Sequence, residues 1–155
     1  MHEREYLTYA QFGVAVNELA IQIKNSNFQP DIVLSIARGG LFLGAGLGYA
    51  LGVKNSFTMS VEFYTGIEQR LPMPVVLPPV PNKVDLTGAT VLIADDVADS
   101  GETLLLVQEF WRDTVKEARS VVLYEKPRSV VKPDYSWRIT DKWIEFPWST
   151  GMPII

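Results

Sequence analysis

The segment 91–104 constrains the fold of this chain more than any other. A buried strand is predicted over 90–94, because these residues are almost entirely apolar, and it ends at two carboxylates, Asp95 and Asp96. Small residues then form a loop, and a helix is expected over 102–115. A strand, a short loop and a helix in this order are typical of an open parallel sheet, in which ligands bind beyond the carboxyl ends of the strands.

The loop in this segment has the residue types of an anion-binding site. Backbone N–H groups of such a loop and of the first helical turn attract an anion, and Ser100 and Thr103 add two hydroxyl donors. Gly101 lets the backbone approach a ligand closely. The two carboxylates before the loop suit the hydroxyl groups of a ribose together with a divalent metal ion. An ordinary helix cap would explain Asp99 and Ser100 but not the whole run.

The remaining hydrophobic pattern alternates between strands and helices. Strands are expected over 32–36, 57–63 and 120–124, and helices from a capping box at Thr8 to about residue 24 and over 41–51. This alternation predicts an α/β fold with a central, mostly parallel sheet flanked by helices. The length of 155 residues corresponds to a single domain.

Two segments need a separate interpretation. Residues 64–83 contain five of the ten prolines and no regular periodicity, which predicts a flexible loop, either a functional lid or a disordered segment. Gly44, Gly46 and Gly48 lie inside the predicted helix 41–51 rather than at a strand-to-helix turn. They therefore indicate close helix–sheet packing and not a dinucleotide-binding motif.

Composition excludes several classes of function. The chain has no cysteine, so disulfides, thiolate metal sites and cysteine nucleophiles are excluded. The net charge of −4 argues against nucleic acid or an anionic membrane as a partner, because both require a basic surface. The single histidine, His2, is assigned no role. The charged N-terminal residues lack the apolar stretch of a secretory signal, so a cytoplasmic protein is expected.

Other candidate ligand contacts follow two more strands. Arg38 and Gly39 come after the strand 32–36, at the sheet edge where the 91–104 loop is also expected; alone they indicate only a turn with an exposed arginine. Lys126 follows the strand 120–124 and could donate to a carbonyl oxygen of a ligand. By itself it fits a surface lysine before a proline turn better.

Two tryptophans, Trp143 and Trp148, lie close together near the end of the sequence. Such pairs usually belong to a core or an interface. An aromatic face also stacks on a flat heterocycle, so a role in binding a base is the second interpretation.

At these positions the sequence resembles the type I phosphoribosyltransferases. The segment 91–104 is similar to their signature for 5-phosphoribosyl 1-pyrophosphate (PRPP): an apolar strand, two acidic residues, two small or apolar residues and Asp/Thr-Ser/Thr-Gly-x-Thr. The segment 35–41 is similar to the pyrophosphate loop of the 6-oxopurine branch. The Lys-Pro at 126–127 and the Trp-Ile-Glu-x-Pro-Trp at 143–148 resemble the bacterial xanthine–guanine and hypoxanthine phosphoribosyltransferases.

The resemblance implies a Rossmann-like fold with a small C-terminal hood, residues 134–155 together with the N-terminal segment. It implies transfer of the phosphoribosyl group from PRPP to xanthine, guanine or hypoxanthine in purine salvage. Asp95 and Asp96 would hold Mg²⁺ and the ribose hydroxyls, and Asp99 would be catalytic. The residues implied to bind PRPP are Arg38, Gly39, Arg70, Asp95, Asp96, Ala98, Asp99, Ser100, Gly101, Glu102 and Thr103, and those implied to bind the base are Lys126, Trp143 and Ile144.

The resemblance also implies PRPP and a purine base as partners, and assembly into a homodimer or homotetramer. The alternatives are a phosphoribosyltransferase for another acceptor (adenine, a pyrimidine or a non-nucleobase amine) and a PRPP- or nucleotide-sensing regulator on the same fold. The segment 72–81 is longer and more apolar than the flexible loop of the relatives, and Ser149 replaces a frequent acidic residue. Which purine is preferred has no signature among the side chains.

Overall fold

The computed structural model describes residues 3–64 and 73–155. In chain order its elements are β1 (Arg4–Tyr6), α1 (Tyr9–Asn25), β2 (Ile32–Ala37), α2 (Gly40–Leu51), β3 (Asn55–Tyr64), β4 (Met73–Leu77), α3 (Lys83–Leu86), β5 (Thr90–Ala98), α4 (Glu102–Trp111), β6 (Glu117–Glu125), β7 (Tyr135–Ile139) and β8 (Trp143–Glu145). In this part of the chain, no helix combines the length and the apolar character needed to cross a membrane.

Six strands form one sheet in the order β4-β3-β2-β5-β6-β7. Neighbouring strands are parallel, except for the antiparallel pair β3 and β4. The central strands β2 and β5 lie side by side, with Ile32 opposite Val91 and Ser35 opposite Ala94. Their carboxyl ends therefore meet at one edge of the sheet. The prediction of an α/β fold with a mostly parallel sheet is confirmed.

Helices cover both faces of this sheet. Successive side chains of a strand point to opposite faces, so each strand contributes residues to both helix–sheet interfaces. On β5, Leu92 and Ala94 belong to a buried cluster that includes residues of α1 and α2. Val91 and Ile93 belong to a second cluster that includes residues of α4. The central strand is thus buried on both sides, as its apolar sequence predicts.

Most predicted elements are present with ends that differ by a few residues. Helix α1 begins with the predicted capping box: Gln11 N–H donates to Thr8 Oγ1 (3.1 Å), and Thr8 N–H donates to Gln11 Oε1 (3.0 Å). The prediction of an irregular segment over 64–83 is wrong for 73–77, which form β4. Residues 65–72 of that segment lie outside the described residues, so this part stays a prediction. Among the described strands β4 lies at the edge of the sheet, a position that tolerates Pro74 because an edge strand pairs on one side only.

The predicted ends of β5 and α4 are also wrong. β5 does not end before Asp95 but continues to Ala98, because its pairing with β6 extends as far as Ala98 opposite Glu125. Helix α4 ends at Trp111 and not at 115. The chain turns earlier because Lys116 N–H donates to the Ala89 carbonyl (2.9 Å), which aligns it to enter β6.

β1 and β8 form a separate two-stranded parallel sheet, in which Arg4 lies opposite Trp143. Ile144 and Phe146 are buried in the same cluster as Tyr124 of β6. The N-terminal strand and the hood therefore pack together on the main sheet, near the carboxyl end of β6.

Of the three glycines in α2, Gly44 has the predicted role in helix–sheet packing, whereas Gly46 packs against α1 and Gly48 lies near the Val53 carbonyl instead. A Cβ added at Gly44 would overlap Ser35 Oγ of β2 and lie 3.0 Å from Ser35 Cβ, whereas one at Gly46 would contact Val16 of α1. Gly44 therefore sets the distance between α2 and the sheet. By contrast, Gly13 on the exposed side of α1 has nothing within 4 Å of an added Cβ.

We expect Gly44→Ala to lower the free energy of unfolding by about 1–3 kcal/mol, because the added methyl group overpacks the contact with the buried Ser35. Gly13→Ala is the matched control, and it should stabilise the protein by about 0.5–1 kcal/mol, since alanine loses less backbone entropy in a helix. Urea denaturation of both variants measures the two effects. Equal changes in both variants would contradict the packing role of Gly44.

Candidate active site

Asp95 and Asp96 lie near the carboxyl end of β5, and both are partly buried. Asp96 N–H donates to Asp95 Oδ1 and Val97 N–H donates to Asp96 Oδ1, each at 2.8 Å. Within the described ranges, no lysine or arginine pairs with either carboxylate. Burial raises the pKa of both carboxyls, and the neighbouring charge of Asp96 raises that of Asp95 further. The pair is therefore suited to binding a cation.

The loop after β2 lies directly against these carboxylates. A Cβ added at Gly39 would overlap the Asp96 carboxylate, and one added at Gly40 would overlap the Ala94 carbonyl oxygen. Only backbone without a side chain approaches β5 this closely. Arg38 is exposed beside this contact. The loops after β2 and β5 therefore leave the sheet at the same edge, as predicted.

The loop between β5 and α4 leads to a helix N-terminus that faces the same edge. Gly101 has a φ of 83°, and no side chain at this N-cap position forms a capping hydrogen bond. Ser100 Oγ accepts the Glu102 N–H at 3.3 Å, and Thr103 lies in the first helical turn. An ordinary cap thus accounts for Ser100 but not for Asp99. Backbone N–H groups of a first helical turn attract an anion.

The loop after β6 supports this anion-binding loop. Lys126 N–H donates to the Ala98 carbonyl at 2.9 Å. Val130 N–H donates to the Ser100 carbonyl at 2.8 Å. A Cβ at Gly101 would lie 2.9 Å from Val130 N, so both the positive φ and the close contact favour glycine there.

A cleft of about 940 Å³ lies between these two loops and the hood. The Lys126 side chain in its wall is buried, and its ammonium group donates to the backbone carbonyl of Lys142. Trp143 also lines the cleft with 63% of its surface exposed, beside the buried Ile144. Asp99 lines the same cleft. The structure thus brings the predicted catalytic residue and the three predicted base-binding residues together.

Some residues of the cleft were not predicted from the sequence. Arg128 forms an ion pair with Asp99, with Nε 2.8 Å from Oδ1. Glu3 and Arg4 contribute from the N-terminal segment. A charged residue in a turn or near a terminus is ordinary surface composition, so the sequence contained no signal for these three residues.

Trp148 packs between the hood and α2. Its ring stacks on Phe42 with centroids 4.4 Å apart and on Phe146 with centroids 5.0 Å apart. Phe42 lies in the first turn of α2, directly after the loop that contains Gly39. The core interpretation therefore holds for Trp148, while the exposed face of Trp143 is available to a flat ligand.

Arg70 lies outside the described residues, so its role in binding PRPP stays a prediction. The other predicted residues surround one sheet edge, with the carboxylate pair and the anion-binding loop next to a cleft that offers an aromatic face and an ammonium group. This arrangement can hold a phosphorylated sugar and a divalent cation beside a flat heterocycle that carries a carbonyl group.

Comparisons with known proteins agree with this chemistry. A family model described as a phosphoribosyl transferase domain matches residues 2–154. Xanthine-guanine phosphoribosyltransferase from Chromohalobacter salexigens is 29% identical, over 99% of this chain and 89% of that protein. The crystal structure of a purine phosphoribosyltransferase from Pyrococcus horikoshii is similar with a TM-score of 0.85 and 37% identity, over 98% of this chain and 97% of that one.

A third comparison supports the fold alone. Xanthine-guanine-hypoxanthine phosphoribosyltransferase from Helicobacter pylori is 21% identical with a TM-score of 0.75, and the match covers 94% of each chain.

We expect Asp95→Asn to raise the melting temperature at pH 7 in the absence of ligand. Because burial and Asp96 raise the pKa of Asp95 above 3.8 in the folded state, the folded protein binds this proton more tightly than the unfolded chain does. The free energy of unfolding of the wild type therefore falls as the pH rises through the pKa that Asp95 has in the folded protein. Asparagine does not titrate, so the variant keeps the free energy that the wild type loses.

Scanning fluorimetry at pH 7 and at about pH 5 tests this, since the advantage of the variant should shrink as the wild-type carboxyl takes up its proton. Asp113→Asn, at an exposed aspartate after α4, is the control and should leave the melting temperature unchanged. A variant no more stable than the wild type at pH 7 would contradict the argument.

Proposed function

The chain belongs to the phosphoribosyltransferase family, and on this premise we propose that it transfers the 5-phosphoribosyl group from PRPP to a 6-oxopurine. The acceptor would be xanthine, guanine or hypoxanthine, and the products a nucleoside 5′-monophosphate and pyrophosphate. One observation carries this proposal. At one edge of the sheet the Asp96 carboxylate lies against the backbone of Gly39, next to the cleft that Lys126 and Trp143 line. The similarity to purine phosphoribosyltransferases supports it.

The loop from Ala98 to Thr103 would bind the 5′-phosphate of PRPP. Its backbone N–H groups and the positive end of the α4 dipole attract the phosphate, and hydroxyl groups of Ser100 and Thr103 donate to it. The backbone bonds to the loop after β6 hold this site in place before the ligand arrives. The bound phosphate would hold the sugar in the orientation that displacement at its anomeric carbon requires. The loop would thus contribute to catalysis mainly by positioning the reacting groups.

We propose Mg²⁺ as the cofactor, held with the ribose hydroxyls by Asp95 and Asp96. The residues present fit this ion, because two partly buried carboxylates, with no cationic side chain of the described residues paired to them, supply the oxygen ligands that Mg²⁺ prefers. When bound, Mg²⁺ would neutralise charge on the departing pyrophosphate.

The base would lie in the cleft between Trp143 and the loop after β6. The Lys126 ammonium would donate to the 6-oxo group, the indole of Trp143 would stack on the ring, and the backbone at Trp143 and Ile144 would contact the other edge. In the structure Lys126 is already buried and oriented by the Lys142 carbonyl. Such orientation favours recognition of a carbonyl oxygen at a defined place.

In the proposed reaction the base N9 bonds to the anomeric carbon as the bond from that carbon to the pyrophosphate oxygen breaks. Positive charge develops on the ribose ring, as it does at a glycosidic bond. Asp99 would lie near N7 of the base and accept its proton. Arg38, exposed next to Gly39, would bind the pyrophosphate, and Arg70 would assist it.

Incubation of the purified protein with PRPP, Mg²⁺ and a panel of bases tests the function, with products identified by mass spectrometry. We expect a monophosphate from at least one of the three 6-oxopurines and none from adenine or uracil. Product from adenine or a pyrimidine alone would point to the other acceptor class. Binding of PRPP by calorimetry without any product would favour the regulator.

We expect Lys126→Ala to raise the KM for the oxopurine by about tenfold or more while the KM for PRPP changes little, because a buried charged hydrogen bond to the base is lost. Lys132→Ala, at an exposed lysine six positions further on, is the matched control and should leave both constants unchanged. Steady-state kinetics with each substrate varied in turn measures the effect. Equal increases for both substrates would exclude Lys126 as the residue that recognises the base.

We propose further that the protein is cytoplasmic and forms a homodimer or homotetramer, in line with the family resemblance of the sequence.

A further inference from the structure

We propose that Arg128 is a positioning residue that holds the Asp99 carboxylate in its catalytic orientation. The proposal rests on the proposed function, in which Asp99 accepts a proton from the base. Both Nε and Nη2 of Arg128 donate to the same oxygen, Asp99 Oδ1, with the Nε distance 2.8 Å. In the described part of the chain no donor contacts Oδ2, so one carboxylate oxygen is fixed and the other is left for a ligand.

The backbone around this ion pair is held on both sides. Ser129 N–H donates to the Lys126 carbonyl at 3.0 Å, which closes a turn with Pro127 at its second position, where a proline presets the backbone. The turn is joined to the anion-binding loop immediately before and after Asp99, through the carbonyls of residues 98 and 100. Arg128 therefore faces Asp99 across a rigid junction of two loops, 29 positions away in sequence.

The same turn also carries Lys126, the residue proposed to recognise the base. Its first and third residues thus place the donor for the 6-oxo group and the partner of the catalytic carboxylate on one short, constrained segment. A base that contacts Lys126 would lie in the cleft that Asp99 lines. This couples recognition of the base to the direction in which the carboxylate points.

Arginine suits this role chemically. A guanidinium stays protonated under all ordinary conditions, so it cannot compete with Asp99 for the proton of the base. Its planar fork brings two N–H groups to one oxygen, which restricts rotation of the carboxylate more than a single donor does. A proton acceptor held by a third group is the usual arrangement in sites that move protons.

Stability does not explain the ion pair. The side chains of Arg128 and Asp99 are 73% and 48% exposed, and exposed ion pairs contribute little to folding. Arg128→Gln should therefore fold with an unchanged melting temperature, which makes its kinetics interpretable. Arg112→Gln is the matched control, because Arg112 is also exposed and paired with a carboxylate, Glu109, but lies at the far end of α4.

The test is a double-mutant cycle of Arg128→Gln and Asp99→Asn, with product formation followed in single turnovers at excess enzyme. We expect Asp99→Asn to lower the rate by about 10²–10⁴-fold. Arg128→Gln should lower it by about tenfold to a hundredfold, while the KM for PRPP, measured separately in the steady state, stays unchanged. In the Asp99→Asn background Arg128→Gln should have no further effect, because Arg128 acts only through that carboxylate. Arg128→Lys should recover part of the rate.

Three results would overturn the proposal. If the rate of the double variant fell by the product of the two single-variant factors, Arg128 would act independently of Asp99 and contact the substrate directly. An unchanged rate for Arg128→Gln, or a loss equal to that of Arg112→Gln, would remove Arg128 from the site. A wild type that forms no product from any oxopurine would overturn the proposed function together with this inference, whereas an active wild type with multiplying losses would overturn this inference alone.

Discussion

Because Gly39 has no side chain, the backbone of the loop after β2 lies directly against the Asp96 carboxylate, near the carboxyl end of the central strand β5. This contact requires β2 and β5 to be parallel neighbours, so that both loops leave the sheet at the same edge. It also requires α2 to pack closely on the sheet, which Gly44 permits at Ser35. A site for a sugar phosphate and a cation depends on these distances, since the groups that bind them come from separate loops.

Burial of the charged forms of Asp95 and Asp96 at this site opposes folding. Asp95 and Asp96 are partly buried, their pKa values are raised, and within the described chain no cationic side chain pairs with them. Two apolar clusters, one on each face of β5, offset this cost. The protein thus retains a local arrangement that folding alone would not favour, which is typical of a site whose carboxylates bind a ligand.

A second set of contacts builds the cleft beside this edge. Pairing of β1 with β8 joins the two ends of the sequence, and ion pairs such as Arg4 with Glu145 and Lys142 with Glu3 accompany it. The individual exposed pairs contribute little to stability. The backbone pairing and the burial of Ile144 therefore hold the hood in place, and the position of the exposed Trp143 follows from them.

Local residue patterns determined the central strand, the anion-binding loop around Gly101 and the capping box of α1, because apolar runs, glycine and capping side chains act over a few positions. The edge strand β4 was missed because its proline conceals the strand periodicity, and only its place beside β3 makes it a strand. The length of β5 was decided by its pairing with β6. The contact of Arg128 with Asp99 likewise joins residues 29 positions apart, and no local pattern encodes it. The sequence by itself thus determined which chemical groups follow the ends of the strands. The tertiary structure decided which of these groups come into contact, because the distances between them depend on strand order and loop packing.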